Sequence, residues 1–104
     1  MAEPLDFTGI DPVIHSPTRL AVMAMLANGD EVEFTVLRDR LALTDGNIGS
    51  HLRKLEEAGY VRCKKAFVDR RPRTTYAILP QGRRAFARHV AELEKIVTQF
   101  RNEE

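Results

Sequence analysis

The sequence predicts a small α+β domain that is mainly helical, and three observations lead to this fold class. Its 104 residues are enough for one domain with a single core. Apolar residues recur with helical spacing in four segments, whereas only two neighbouring segments alternate as strands do. Capping residues and glycines separate these segments. With 43% hydrophobic and 30% charged residues, the composition is that of a folded domain.

The chain divides into three predicted parts. Residues 1–13 are polar, are interrupted by prolines and a glycine, and are expected to form an N-terminal arm. Residues 14–79 contain three helical segments and both strand segments, and are expected to form the globular domain. Residues 80–104 form one long helical segment, which we expect to be a C-terminal dimerisation helix.

The first helix has clear limits. Ser16 is a suitable N-cap, Pro17 fits the first helical position and Gly29 provides a stop. Residues 20–27 are all apolar, so no side of this helix is suited to solvent. The helix is therefore either the central helix of the core or part of a contact with another subunit.

The second and third helices are separated by a tight turn. Residues 35–42 have the spacing of a helix with one buried face. Thr44 is suited to cap a third helix that runs to Ala58, and Gly59 is suited to end it in the left-handed conformation. Two helices joined by a short turn and followed by a hairpin form a helix-turn-helix with a two-stranded wing.

The third helix has two chemically different faces. Its apolar face consists of Ile48, Leu52 and Leu55. Its opposite face comprises Gly46, Asn47, Ser50, Arg53 and Lys54, with His51 on the flank and the capping Thr44 at the N-terminal end. Short polar side chains are suited to base edges in the major groove of double-stranded DNA, and long cations are suited to phosphates. The alternative is an ordinary amphipathic helix whose polar face is only solvated.

Two glycines in this helix argue against that alternative. A glycine inside a helix costs about 1 kcal/mol relative to alanine. Gly46 lies in the first turn, where this cost is smaller, and Gly49 lies farther inside the helix. Something other than helix stability therefore explains them, either close packing within the protein or close approach to DNA.

A β-hairpin is predicted after the third helix. Residues 60–68 and 74–79 are rich in strand-forming residues, and residues 69–73 form a charged turn between them. The apolar face of the first strand is expected to hold Val61, Cys63 and Phe67. Arg70, Arg71 and Arg73 are the cations of the tip, which Pro72 is expected to stiffen, and Arg62, Lys64 and Lys65 extend the basic strip along the strand; of these six, the candidate DNA contacts are Lys64, Arg70, Arg71 and Arg73. They are suited to phosphates or to a minor groove, unless they only protect a strand edge.

The closing helix carries a regular apolar stripe. Its members are three or four residues apart and are Phe86, Val90, Leu93, Val97 and Phe100. This spacing is typical of a coiled-coil seam, although it covers only about two heptads. We therefore expect the stripe to form the seam of a homodimer; the alternative is that it packs on its own domain.

Charge is unevenly distributed along the chain, although the net charge is only +1. Residues 1–43 hold three basic and seven acidic side chains, a net of −4, whereas residues 44–75 hold eight and four, a net of +4. Residues 76–104 hold five and four, a net of +1. A basic middle in a nearly neutral protein indicates either a face that binds a polyanion or a solvated basic surface.

Four segments resemble parts of the small winged helix-turn-helix transcriptional regulators of the ArsR/MarR type. Residues 43–61 resemble their recognition helix and first wing strand, and residues 16–20 resemble the opening of their first core helix. Residues 71–76 and 82–86 are similar to the wing and closing helix of a compact subgroup. The resemblance implies a homodimer that binds palindromic operator DNA and usually acts as a repressor.

Two positions depart from the pattern of this family. Gly49 stands where many of its members have serine, which puts a phosphate contact there in doubt. Pro80 stands where the subgroup often has a capping threonine, so the last helix is expected to begin differently. Neither departure affects Asn47, Ser50 or His51.

Other classes of function have little support in the sequence. Cys63 is the only cysteine, which excludes an intrachain disulfide and a multi-thiolate zinc site. His89 and Glu92 share a helical face, but we expect a solvated histidine there rather than a metal site. The sequence contains no phosphate-binding glycine loop, nucleophile elbow or paired catalytic carboxylates, so neither an enzyme nor a cofactor is expected.

The rival interpretation is a winged-helix module that binds protein instead of DNA. It predicts an apolar or acidic outer face on the third helix, whereas the observed face is polar to basic. A small-molecule effector is not required by any residue, although a pocket for one could form between the first and last helices of a dimer.

The expected location of the chain is the cytoplasm. The sequence has no run of about 18 apolar residues, so no membrane-spanning helix is expected. Its first six residues are acidic and lack the apolar stretch of a secretory signal.

Overall fold

The computed structural model of the chain describes residues 6–103, which contain four helices and three strands. In chain order the elements are α1 (Pro17–Leu26), β1 (Val32–Glu33), α2 (Phe34–Arg40), α3 (Asp45–Glu57), β2 (Val61–Val68), β3 (Arg71–Ile78) and α4 (Pro80–Glu103). The predicted fold class is confirmed: α2 and α3 form the helix-turn-helix, and β2 and β3 form the wing.

Helix α1 begins where the sequence predicted, after the N-cap Ser16. The Ser16 hydroxyl oxygen accepts a hydrogen bond from the Arg19 backbone N–H at 3.4 Å, and Pro17 occupies the first turn. The buried residues of α1 are Val22, Met23 and Leu26. Ala24, in contrast, is exposed. One face of this apolar helix therefore packs in the core of its own chain, and the side that carries Ala24 stays open.

The turn between α2 and α3 is tight because Ala42 adopts the left-handed conformation, with φ of +53°. The Thr44 hydroxyl oxygen then accepts a hydrogen bond from the Asn47 backbone N–H at 3.1 Å and caps α3, as predicted. The buried residues of α3 are the predicted ones, Ile48, Leu52 and Leu55. Their burial fixes the rotation of α3 about its axis, so the opposite face points away from the core.

The sheet is antiparallel, with its three strands in the order β1-β3-β2. Strand β1 was not expected from the sequence, because it consists only of Val32 and Glu33 and so is too short to show alternation. Val32 pairs with Tyr76, so β1 lies beside the buried end of β3 and leaves the distal half of β3 paired on one side only.

The turn of the wing is shorter than the sequence predicted. Val68 pairs with Arg71, which leaves only Asp69 and Arg70 in the turn, with φ of +50° and +66°. Positive φ at both positions gives the tight turn whose twist matches that of the strands. The predicted five-residue turn is wrong, since Pro72 lies in a pair that exchanges no hydrogen bonds and its missing N–H does not interrupt the hairpin.

Helix α4 begins against the domain and then leaves it. Gly82 lies directly against Tyr60, because a Cβ built on this glycine would overlap the Tyr60 carbonyl oxygen. Phe86 packs partly buried against the core. Farther along, the exposed fraction rises to 47% at Val97 and 62% at Phe100. The predicted stripe is thus divided: its first part packs on its own domain, and its last part is open.

Asp11 joins the segment before α1 to two other parts of the fold. Its carboxylate accepts hydrogen bonds from the Tyr60 hydroxyl at 2.5 Å and from the Val13 backbone N–H at 2.8 Å. Its own backbone N–H donates to Nδ1 of His89 on α4 at 3.1 Å. The hydrogen bond to Asp11, together with burial, raises the pKa of Tyr60 to about 12, so the phenol keeps the proton that it donates.

His89 is fully buried, which corrects the expectation of a solvated histidine. This face of α4 is turned to the core, and the segment at Asp11 covers it. Because Nδ1 accepts a hydrogen bond, the neutral ring carries its proton on Nε2, which has no partner among residues 6–103. Burial lowers the pKa of His89, and the neighbouring His15 ring adds to this, while the Asp11 carboxylate opposes it.

Acidification is expected to destabilise the fold through His89. In the unfolded chain this histidine takes up a proton near its ordinary pKa of 6.5, but in the folded chain it does so only at lower pH. The contribution of His89 to the free energy of unfolding is therefore fully present above the ordinary pKa of 6.5, and it is lost as the pH falls below that value. Urea unfolding at about pH 7.5 and about pH 5.5 should show a smaller fall for His89→Leu than for the wild type.

Two other histidines, His51 and His15, must be considered in interpreting this measurement. His51, whose pKa is also lowered by burial, accounts for part of the fall that remains in His89→Leu. His15→Gln is the comparison variant: it removes only the smaller influence of the His15 ring on the pKa of His89 and keeps the burial of that residue, so most of the wild-type fall should remain. An equal pH dependence in His89→Leu and the wild type would contradict the prediction.

Candidate nucleic-acid interface

The face of α3 opposite the core is open and polar. Asn47, Ser50, Arg53 and Lys54 are all exposed, and Gly46 is exposed at the N-terminal end. Within residues 6–103, the side chains of these four residues form no hydrogen bond and no ion pair. The structure thus brings the sequence-predicted residues of this helix together on one surface, with their donors, acceptors and charges unused.

The acidic residue at the start of α3 is paired with an arginine of α2. Arg38 donates one hydrogen bond to the Asp39 carboxylate at 2.8 Å and another to the Asp45 carboxylate at 2.9 Å. These bonds, the one to Asp39 first, raise the pKa of Arg38 further above its ordinary value. Exposed ion pairs contribute little to stability. The consequence is electrostatic: Arg38, which shares its single positive charge between Asp39 and Asp45, reduces the negative potential beside the polar face of α3.

His51 lies on the flank of this face and is only half-exposed. Its Nδ1 lies 3.0 Å from a terminal guanidinium nitrogen of Arg19. Since a guanidinium can only donate, Nδ1 accepts, and the neutral ring carries its proton on Nε2. Burial, then the charges of Arg19 and Lys54, lower the pKa of His51, so the neutral form is favoured. What His51 can offer a ligand is therefore one N–H donor.

Arg19 is a residue of this surface that the sequence analysis missed. Its side chain also donates to the backbone carbonyl of Val13, so it ties the segment before α1 to the flank of α3 through His51. The available signal was that Arg19 is the only charged residue of α1, directly before the apolar residues 20–26. A cation in the first turn of such a helix needs a specific partner, and the sequence alone does not show which one.

The register of the hairpin sorts the wing residues onto two faces, because side chains alternate along a strand and paired residues share a face. Lys64, Arg71 and Arg73 lie on the face opposite the one that carries the buried Val61 and Tyr76. All three cations are exposed. Lys64 lies on a strand as the sequence predicted, whereas Arg71 and Arg73, which were expected in the turn, lie in a paired strand.

Two wing cations are held by glutamates near the short strand β1. Arg73 forms an ion pair with Glu33 at 2.9 Å, and Arg62 forms one with Glu31 at 2.7 Å. The hydrogen bond from Arg62 lowers the pKa of Glu31, so this carboxylate remains charged. Because such half-exposed pairs contribute only about 0–1 kcal/mol, a phosphate can replace the glutamate as the partner of Arg73.

Arg70 occupies the second position of the wing turn in the left-handed conformation, where glycine is the usual residue. A residue with a Cβ costs roughly 1–2 kcal/mol in this conformation. Arg70 is exposed and forms no ion pair among the described residues. The chain thus carries a strained cation at the end of the wing, where glycine would be easier to accommodate.

Other kinds of site find little support in the structure. Among residues 6–103, no three histidine, cysteine, aspartate or glutamate side chains lie close enough together to hold a metal ion. Cys63 is a free, half-buried thiol that packs against the core. Of the described helices, none is both long and apolar enough to cross a membrane.

Comparisons with known proteins agree with this geometry. A family model described as a winged helix DNA-binding domain matches residues 18–97. An uncharacterized protein from Methanocaldococcus jannaschii is 38% identical over 81 residues, which are 78% of this chain and 88% of that protein. The family-model match therefore spans all but the first residue of α1, the whole of α2, α3 and the wing, and most of α4.

Similar solved structures include transcriptional regulators. A transcriptional regulator homologue from Pyrococcus horikoshii OT3 superposes with a TM-score of 0.79 at 32% identity, over 85% of this chain and 87% of that one. A protein from Enterococcus faecalis V583, described as a MarR-family transcriptional regulator, superposes with a TM-score of 0.68 at 24% identity, over 88% and 81%. The second similarity concerns the fold alone. Together with the family match, these findings confirm the predicted resemblance and indicate a DNA-binding regulator rather than an enzyme.

Proposed function

The chain belongs to the family of winged helix DNA-binding domains, and we propose that it binds double-stranded DNA sequence-specifically as a homodimeric transcriptional repressor. In this proposal α3 enters the major groove. Asn47, Ser50 and the Nε2–H of His51 contact base edges there. Arg53 and Lys54 contact phosphates, and the capped N-terminal end of α3 lies close to the backbone.

One observation carries this proposal: the outer face of α3 is exposed, polar to cationic, and unused by the rest of the described chain. An amide, a hydroxyl and two long cations within two turns of helix match the donors and acceptors of base edges and the charge of phosphates. The ion pair between Arg38 and Asp45 reduces the nearest repulsion against a polyanion.

The glycines of α3 support the same proposal. Sequence reasoning left two explanations for them, packing within the protein or approach to a ligand. A Cβ added at Gly46 or Gly49 would meet nothing within 4 Å, and neither residue has a positive φ. Packing and backbone conformation within the described chain therefore do not require glycine at either position, which leaves close approach of a ligand.

The wing supplies the second half of the proposed interface. Lys64, Arg70 and Arg71 are exposed and not paired with acids among the described residues, and Arg73 is held only by a weak pair with Glu33. Hairpin cations of this kind are suited to the phosphates that flank a half-site and to the adjacent minor groove.

The proposed dimer is formed through the distal half of α4. Leu93 and Ile96 are half-buried, and Val97 and Phe100 are largely exposed in a single chain. A stripe of this kind with helical spacing is typically covered by a second helix. A two-fold dimer would present two copies of α3 to successive turns of one DNA face, about 34–36 Å apart.

The alternative function is a protein-binding module. It would need apolar anchors at the centre of the α3 surface, since protein interfaces depend on buried aromatic and aliphatic side chains. The outer face of α3 carries no such residue, so DNA remains the better ligand for this surface.

Selection of bound duplexes from a random pool, at a stated low salt concentration, tests the function directly. The expected product is an inverted repeat whose half-sites are separated by about one helical turn, because two-fold symmetry in the protein imposes it on the DNA. Failure to enrich any sequence, with no binding of the starting pool in dilute buffer, would reject DNA binding.

Replacing Gly49 by alanine should separate stability from binding. The free energy of unfolding is expected to rise by as much as about 1 kcal/mol, because alanine favours the helix and the added methyl group meets open space. Affinity for the selected duplex is expected to fall, because the methyl group obstructs the approach of DNA. Thr98→Ala, an exposed helical position on α4, is the matched control and should leave affinity unchanged. Unchanged affinity in Gly49→Ala would remove close approach as the reason for this glycine.

A glutamate at Val97 should convert the proposed dimer to a monomer. Val97 is 47% exposed in one chain, so the monomer tolerates the charge, whereas a buried seam does not. Sedimentation velocity measures the result, with Thr98→Glu as the matched control on the neighbouring polar side of α4. A dimer that survives Val97→Glu would place the contact elsewhere.

A further inference from the structure

Phe67 is the most exposed of the large apolar side chains that the structure describes, with 79% of its surface open to solvent. It lies on β2 in the distal half of the wing, one residue before the end of the strand. An exposed phenylalanine on a projecting hairpin is unfavourable for the free protein, because apolar surface remains in water. Its presence there calls for a ligand.

The exposure of Phe67 corrects an expectation from the sequence. The alternation of Val61, Cys63 and Phe67 predicted one shared apolar face, and the register does place the three on the same face. Burial decreases along this face, however, from 3% exposed at Val61 to 79% at Phe67. The eight-residue strands extend beyond the core, and residues 6–103 leave this face of the hairpin uncovered at Phe67.

The surroundings of Phe67 are cationic. Pro72 is its cross-strand partner, and Lys65 lies two residues before it on the same face. Arg70 and Arg71 follow at the end of the wing, all three cations being exposed. Asp69, which lies in the turn with Arg70, is the one acidic residue in this part of the hairpin, so the three cations outnumber it.

The exposed phenyl ring and the cations around it favour double-stranded DNA as the ligand over a second copy of the chain. An apolar ring bordered by cations fits the minor groove of a duplex, whose walls are deoxyribose and whose rims are phosphates. A second copy of the chain would bring the same positively charged hairpin against this one, so like charges oppose self-association through Phe67. Lys65 shares the face of Phe67, whereas Lys64, Arg71 and Arg73 of the proposed DNA interface lie on the opposite face of the same hairpin, so a groove that encloses the wing would meet both faces.

We propose that Phe67 is an apolar contact in the minor groove beside each half-site, flanked by Lys65 and Arg70 on the phosphates. This inference rests on the proposed DNA binding and adds to it a contact that carries no charge. Such a contact contributes affinity through burial of apolar surface, and leaves the number of displaced counterions unchanged.

The test compares variants on one duplex recovered from the pool selection with the wild-type protein. Phe67→Ala should weaken binding about tenfold, as expected for loss of a buried phenyl ring, with an unchanged slope of log Kd against log salt. Phe67→Leu should retain most of the affinity, because the leucine side chain preserves apolar bulk. Arg71→Ala should instead reduce the slope by about one phosphate contact.

A hydroxyl-radical footprint locates the contact. The wild type should protect deoxyriboses at the outer minor groove of each half-site, and Phe67→Ala should lose that protection alone. Phe7→Ala is the matched control, since Phe7 is also exposed, at 65%, but belongs to the segment before α1. It should retain the affinity and the footprint of the wild type.

Several results would overturn the inference. They are wild-type affinity in Phe67→Ala, a reduced salt slope in that variant, an unchanged footprint despite weaker binding, or a change in self-association measured by sedimentation. A wild-type protein that binds no DNA at all would reject the proposed function and this inference with it. In the results above, by contrast, the wild type binds the duplex and only the role of Phe67 is rejected.

Discussion

The burial of one apolar stripe on α3 determines the orientation of everything that this protein offers to a ligand. Ile48, Leu52 and Leu55 are fully buried, and because a helix is rigid in cross-section, their positions set the direction of the remaining side chains. The Thr44 cap and the left-handed Ala42 fix where α3 starts. If this stripe were displaced by one residue, the exposed face would rotate by about 100° and the polar residues would no longer form one surface.

A set of hydrogen bonds around Asp11 then determines how α4 sits on this domain. Asp11 connects the segment before α1 to Tyr60 at the start of the wing and to His89 on α4. Arg19 extends the same network from Val13 to His51 on α3. The proposed dimer contact lies on α4. In such a dimer, the relative position of the two copies of α3 would therefore depend on these hydrogen bonds between α4 and the rest of the domain.

Ion pairs with acidic residues occupy some of the cations of this fold and leave others available to a ligand. The acidic N-terminal part of the chain supplies Asp39, Glu31 and Glu33, which pair with arginines of α2 and the wing. Arg53 and Lys54 on α3, like the cations at the end of the wing, have no such partner within residues 6–103. The charge difference along the sequence thus becomes a spatial difference, with ion pairs around β1 and unpaired cations on α3 and the distal wing.

The sequence by itself determined the helices, the capping of α1 and α3, the buried stripe and the polar face of α3, because these depend on local spacing and local hydrogen bonds. It did not determine β1, whose two residues are a strand only because β3 lies beside them. It also misplaced the wing turn, since the pairing of Val68 with Arg71 is a property of two strands together. The environments of His89, Arg19 and Phe67 were decided by tertiary structure alone. Burial and exposure depend on which segment covers a side chain and where the core ends, and neither is encoded in the spacing of residues along one strand or helix.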